Sequence, residues 1–337
     1  TSIWGARIHG PSGEVASIGS PDTVRTWSVC RKLFDESLLQ DALKSGAELW
    51  LSSKPISAKQ DDYGVSIAIS TPTGNVDVRC SILCGADGAH SWVRRNFRMG
   101  RPKEMMIGFQ IEVTGYVGEE GRLDMYTGSE IAPGFFAWAI PSGDTTRIGT
   151  WSKADMLDGN SPEQLLNTLM RSPLWKRRFT GCKEVGRFCG PVPSGLVKHP
   201  LRGRVALFGD AAGLCKPTTG GGIGPGFNHV QATAPLLLQK SRDDLTQSGL
   251  EAEFAKILEP IRKDQMRAKA LRDAFLTQMD DEELDDVFSV WSKPEVIELI
   301  NEIGEIENPI PLGIRMLREV PEFRSLARRA VKAVLWG

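Results

Sequence analysis

The run Arg204-Val-Ala-Leu-Phe-Gly-Asp-Ala-Ala-Gly-Leu-Cys-Lys-Pro-Thr-Thr-Gly-Gly-Gly-Ile223 constrains the fold more than any other part of the chain, because an apolar segment, a Gly-Asp pair and a glycine cluster follow one another without a spacer. Residues 205–208 are apolar and too few for a helix, which predicts a strand of a parallel sheet covered on both faces. Asp210 then falls at the carboxyl end of that strand, where open α/β sheets bind ligands. A carboxylate there accepts hydrogen bonds from sugar or polyol hydroxyls, and Gly220, Gly221 and Gly222 let the backbone approach a flat or anionic ligand without a Cβ in the way. From Ile223 to Gln239 the pattern fits a helix, with Pro225 tolerated in the first turn and Pro235 expected to kink or end it. The amino end of that helix would point free amides and a positive dipole end at the ligand.

A second segment, Ser81-Ile-Leu-Cys-Gly-Ala-Asp-Gly-Ala-His-Ser-Trp-Val-Arg-Arg95, repeats this logic. It predicts another short buried strand ending in Gly85, Asp87 and Gly88, with a helix from near Ala89 and Ser91 in its first turn. His90 reads as a helix-start residue rather than a base. Taken together, the two segments resemble the paired signatures of FAD-dependent oxidoreductases of the p-hydroxybenzoate hydroxylase-like fold. The resemblance implies that Asp87 and Gly88 lie near the FAD pyrophosphate and that Asp210 binds the ribityl chain.

Three further stretches resemble the geranylgeranyl reductase family in particular. They are Pro133-Gly-Phe-Phe-Ala-Trp-Ala-Ile-Pro141 with Arg147-Ile-Gly-Thr-Trp151, Pro193-Ser-Gly, and Pro217-Thr-Thr-Gly-Gly-Gly-Ile223. The first is similar to that family's substrate-sheet motif, which implies a substrate pocket walled by Phe136, Trp138 and Pro141. Phe136 stands where the family has tyrosine and Ile140 where it has phenylalanine, so no phenolic donor is available at 136 and no catalytic residue is assigned. An aromatic core ladder explains the same alternation equally well.

A dinucleotide-binding fold should open with a strand, a GxGxxG turn, a helix and an acidic residue about 20 positions on. Nothing of this kind precedes Arg31, since Gly5, Gly10 and Gly13 lack the spacing. The expectation is a chain that starts partway into that domain, short of at least one ~30-residue βαβ unit, as a truncation or a partial reading frame would be. The helix expected from Arg31 has apolar residues at 34, 38, 39, 42 and 43 and a stop at Gly46. The resemblance places Arg31 against the FAD diphosphate, a partner a guanidinium fork suits. A strand is expected at Glu48–Leu51, leading to Pro55, whose backbone corresponds to the family's adenine contact.

The whole reads as an α/β protein in three parts: an FAD-binding Rossmann-like domain over 1–104 and 196–245, an inserted antiparallel-sheet substrate domain over 105–195, and a helical region over 246–337. Antiparallel strands are expected from Met106 to Trp151, a helix from Ser161 to Arg178, and one helix started by Asp280-Asp-Glu-Glu283. With 41% hydrophobic and 25% charged residues the composition is that of a globular enzyme, and a net charge of −1 gives no reason to expect nucleic acid. No stretch approaches ~18 uninterrupted apolar residues. Six cysteines, at 30, 80, 84, 182, 189 and 215, read as free thiols of a reducing cytosol, with a Cys182–Cys189 bridge as the alternative. Four histidines without ligand spacing predict no metal site.

In Phe323–Trp336, Arg324, Arg328, Arg329 and Lys332 share one face, and Leu326, Ala330, Val331 and Val334 another. That suits either a helix on anionic lipid, with a cytoplasmic protein at a membrane surface, or a helix packed on its own domain. The resemblance implies an FAD-dependent reductase of geranylgeranyl or other isoprenoid lipid chains, supplied with electrons by NAD(P)H or ferredoxin. A flavin monooxygenase or halogenase and a cofactor-free lipid- or partner-binding relative are the alternatives.

Overall fold

The computed structural model describes residues 1–240, 247–304 and 310–326. The chain divides into two units: Lys32–Met105 with Val192–Met266, and Thr1–Arg31 with Met106–Pro191 and Arg267–Gly337.

In the first of these, the apolar run forms the fully buried strand Val205–Leu207, parallel to Leu83–Gly85, while Leu201–Arg202 pairs with it antiparallel. The helix after the second motif starts at Trp92 rather than near Ala89. Ser91 is its N-cap, accepting from the Arg94 amide, because a short oxygen-bearing side chain satisfies a first-turn donor best from the cap position. Strands Lys54–Gln60, Val65–Thr71 and Gly74–Cys80 form an antiparallel meander. Pro55 sits in its edge strand beside an irregularity in register, where a missing N–H costs no ladder bond.

The strand expected at Glu48–Leu51 does not form: these residues are exposed and lie in irregular backbone and a turn, since a strand exists only with a partner to pair. Helix Arg31–Lys44 forms as expected, with Gly46 at φ +93° after it, yet buries no residue because its apolar side chains do not gather on one stripe. Helix Ile223–Lys240 continues through Pro235 instead of ending there. Leu236 and Leu237 follow the proline, each only 6% exposed, and their packing into the core with Phe254 and Leu258 offsets the lost backbone bond.

The other unit is built on a seven-stranded sheet. Its order is Lys183–Ser194, Glu104–Thr114, Thr145–Lys153, Ala137–Ser142, Arg122–Tyr126, Gly5–His9 and Val15–Gly19. The expected antiparallel run is present, and Gly5–His9 adds to it in parallel with Arg122–Tyr126. Phe109, Ile111, Ala137, Ala139 and Ile148 pack beneath Leu166, Leu169, Trp175 and Phe179. The helix expected over Ser161–Arg178 is two, Pro162–Arg171 and Lys176–Phe179, interrupted around Pro173. Ser161 and Gln164 form a capping box at its start, as Asp280 and Glu283 do for helix Asp281–Trp291. Helices Pro294–Ile303, Ile310–Glu319 and Pro321–Leu326 complete a second core around Phe275 and Phe323, whose rings stack at 5.2 Å.

All six cysteines are free thiols. Cys182 and Cys189 lie seven positions apart along an extended strand, which separates them by roughly 20 Å and precludes a bridge. Among the described residues no helix is long and apolar enough to cross a membrane.

Candidate functional site

The two motif turns issue from the carboxyl ends of adjacent parallel strands, Leu83–Gly85 and Val205–Leu207. A Cβ at Gly85 would lie 2.8–2.9 Å from Val93 and Leu207, so glycine is what allows the helix Trp92–Asn96 to close on the sheet. Asp87 Oδ2 accepts from the amides of Trp92 (2.7 Å) and Val93 (3.1 Å), which makes Asp87 the anchor of that helix start.

Sequence reading missed the link between the turns. Buried Arg94 donates from Nη1 to the Ala211 carbonyl (2.7 Å) and from Nη2 to the Ala89 carbonyl (2.6 Å), tying the Asp87-Gly88 turn to the Gly209-Asp210 turn. Ala211 lies 117 positions from Arg94, so no local pattern could reveal the link.

Gly209 (φ +56°) and Gly88 (φ +78°) both adopt left-handed backbone, and a Cβ at either would meet open space. At Gly222, in contrast, a Cβ would lie 2.9 Å from Asp210 Oδ1 and 3.4 Å from Cys215 Sγ. The glycine cluster is therefore shut against the Asp210 carboxylate, and helix Ile223–Lys240 starts directly after it. The turns offer a carboxylate, first-turn amides and glycine-lined room, a donor set that fits a dinucleotide with a polyol chain.

Arg31 opens its helix on the surface, and one turn later Phe34 meets Phe227 of helix Ile223–Lys240 edge to face at 6.3 Å. Pro55 lines a separate cleft of about 450 Å³ with Trp50, Ile67, Ile69, Leu83 and Trp92.

In the seven-stranded sheet, strand alternation divides the predicted pocket residues. Trp138 lies over Gly149, donating to Gln110 Oε1 (3.3 Å), and Phe136 packs edge to face against Trp138 and Trp151. Pro141 falls on the opposite face, with Ala137 and Ala139, which turn to the helices.

That helix-covered face carries a polar cluster that has no local signature in the sequence. Asp124, 0% exposed, accepts from Arg7 Nε (2.8 Å) and Nη2 (2.9 Å), the Tyr116 hydroxyl (2.8 Å) and Arg178 Nη1 (3.3 Å), and pairs with His9 Nε2 (2.9 Å). Burial would raise its carboxyl, but the bonds from His9, Arg7 and Tyr116 hold it at about 2. Burial outweighs that same bond at His9 and lowers the imidazole. Both tyrosine hydroxyls, Tyr116 and Tyr126, are raised by burial. No group of three or more His, Cys, Asp or Glu among the described residues is placed to hold a metal ion.

Comparison with known proteins agrees with this frame. Residues 18–166 match the FAD binding domain family. The chain is 25% identical over 225 residues to digeranylgeranylglycerophospholipid reductase 1 of Methanosphaera stadtmanae, covering 66% of this chain and 55% of that protein. It is 26% identical over 333 residues to digeranylgeranylglycerophospholipid reductase 2 of Methanothermobacter thermautotrophicus, covering 95% and 83%. Among solved structures, a geranylgeranyl bacteriochlorophyll reductase-like protein of Thermoplasma acidophilum superimposes with a TM-score of 0.80 at 21% identity, covering 99% of this chain and 83% of that one. The chain is thus similar over most of its length to digeranylgeranylglycerophospholipid reductases, and shares its fold with a geranylgeranyl reductase-like flavoprotein.

The same fold extends to the flavin-dependent halogenase CmlS, with a TM-score of 0.70 at 15% identity over 95% of this chain and 66% of that one. The match to the FAD binding domain family makes FAD the cofactor. The chain spans just over half the length of the Methanosphaera stadtmanae relative. Of the basic residues that marked the C-terminal segment, Arg328, Arg329 and Lys332 lie outside the described residues. Arg324 is described, and it donates to the carbonyls of Leu317 (2.7 Å) and Arg318, capping helix Ile310–Glu319.

Proposed function

We propose that this protein is an FAD-dependent reductase that saturates double bonds of geranylgeranyl or related isoprenoid chains, in lipids of the archaeal ether type. The observation that carries the reading is the pair of glycine-containing turns at the ends of adjacent parallel strands, with Gly222 shut against Asp210, in a chain whose named relatives are digeranylgeranylglycerophospholipid reductases.

Bound FAD supplies hydride chemistry. Asp210 would accept hydrogen bonds from the polyol chain, and the amides that open helix Ile223–Lys240 would stabilise negative charge on the reduced ring. Gly220, Gly221, Gly222 and Ile223 would bring that backbone close, with Asp87 and Gly88 toward the pyrophosphate, Arg31 toward the diphosphate and Pro55 toward the adenine. Phe136 and Trp138 would form an apolar wall for an isoprenoid chain and keep water from it. No side chain is assigned as proton donor. NAD(P)H or ferredoxin would supply electrons, and a cytoplasmic protein would meet its lipid at the membrane surface.

The test is the visible spectrum of the purified protein through anaerobic reduction and addition of a geranylgeranyl lipid. Reoxidation by the lipid without oxygen is expected. Bound flavin that ignores the lipid and reacts with oxygen would instead make it a monooxygenase or halogenase, and a colourless protein would make it a cofactor-free relative.

A further inference from the structure

We propose that Cys215 is a positioning residue for the ligand-binding carboxylate: its thiol donates to Asp210 Oδ1, fixing the carboxylate so that Oδ2 is presented to the hydroxyls of a polyol-bearing ligand. This rests on the reading of Asp210 as a cofactor-binding residue.

The Sγ to Oδ1 distance is 3.2 Å, within the reach of a sulfur donor, and Oδ2 has no partner among the described residues. Because a carboxylate only accepts, the thiol must be the donor. Cys215 is 3% exposed, and burial followed by the nearby Asp210 charge raises its thiol far above its usual value, so the sulfur keeps its proton.

The thiol is held on a rigid frame. The Cys215 amide donates to the Pro193 carbonyl (3.2 Å), and Cys215 bridges in parallel to Ser194. Gln265 Nε2 donates to the carbonyls of Gly213 (3.1 Å) and Cys215 (3.4 Å), fastening the turn from its other side. Gly222 closes the arrangement, since a Cβ there would press on both the carboxylate and the sulfur. Asp210 thus has one oxygen fixed and one left for a ligand, the preorganisation that lowers the ordering cost of binding.

The test combines infrared spectroscopy with FAD titration of the apoprotein and thermal unfolding. The S–H stretching band of Cys215, isolated by difference against Cys215→Ser, is expected to be red-shifted and to move back in Asp210→Asn. Cys215→Val, close in shape but without a donor, is expected to weaken FAD binding about fivefold to tenfold with Tm unchanged or raised, and Cys215→Ser to recover most of that loss. An S–H band indifferent to Asp210→Asn, or a valine variant that binds FAD like the wild type, overturns the proposal. A wild-type protein that retains no FAD would overturn the cofactor reading and this role with it, a pattern distinct from loss of the difference between wild type and valine variant.

Discussion

His9 Nε2 lies 2.9 Å from Asp124 Oδ1 with only 2% and 0% of the two side chains exposed, so a histidine of the strand Gly5–His9 and an aspartate of the neighbouring parallel strand share a proton inside the sheet unit. The imidazole also stacks on Tyr126 at 4.6 Å. Arg7 and Arg178 bring two positive charges to the same group, and this one carboxylate joins Gly5–His9, Arg122–Tyr126 and the helix Lys176–Phe179.

Removing that carboxylate deprives two guanidinium groups of their buried acceptor and leaves the Tyr116 hydroxyl with Tyr126 alone. Asp124→Ala should therefore cost about 3 kcal/mol or more in urea unfolding, and Asp124→Asn less, because the amide still accepts. The Asp124 carboxyl is depressed from 3.8 to about 2. Its contribution is thus present above pH 3.8 and lost as pH falls toward 2, and Asp124→Asn should remove that segment of the acid-unfolding profile.

His229 sets a different acid limit. It is 0% exposed between Phe208 (4.8 Å) and Phe254 (5.9 Å), neither ring nitrogen has a partner among the described residues, and burial lowers it to about 4. Between pH 6.5 and 4 the unfolded chain binds the proton and the folded one does not, so stability falls with acidification across that window by about 3 kcal/mol. His229→Leu should flatten the dependence and raise stability at pH 7, since no polar atom is then left unsatisfied. Unfolding free energies at pH 7 and pH 5 for both proteins decide this.

The sequence displayed those parts of the fold whose cause is local. Val205–Leu207 was legible because four consecutive apolar residues, 205–208, between Arg204 and Gly209 have few alternatives, and Asp280 with Glu283 announced a helix start by spacing alone. Glu48–Leu51 had a strand's composition but no partner, and pairing is not written in the segment itself. Phe136, Trp138 and Pro141 read as one motif although strand parity sends Pro141 to the other face. Asp124 gave no signal, because Arg7 and His9 are 117 and 115 positions away and a solitary aspartate in a strand looks like a solvated one.

Gly222→Ala tests the closeness of the glycine cluster to Asp210. Its Cβ would enter within 2.9 Å of Oδ1, and the carboxylate, held from behind by Cys215, has little room to yield. FAD affinity should fall about tenfold or more while thermal unfolding shifts by only a few degrees, because the loop bordering Gly222 is partly exposed.

Arg94 carries the connection between the two turns through two carbonyls rather than a carboxylate, with Nη1 on Ala211 and Nη2 on Ala89. Arg94→Ala would leave both carbonyls without a donor in a region where Ala89 and Ala211 are 8% and 0% exposed, at a cost of about 2–4 kcal/mol. Arg94→Lys should recover little, since a single ammonium lacks the fork that spans two acceptors. If the strut also sets the spacing of the turns, the lysine variant should bind FAD more weakly than its stability loss alone explains. FAD titration well below the Tm of each variant separates the two contributions. Equal affinity in the wild-type and lysine proteins would reduce Arg94 to a purely stabilising residue.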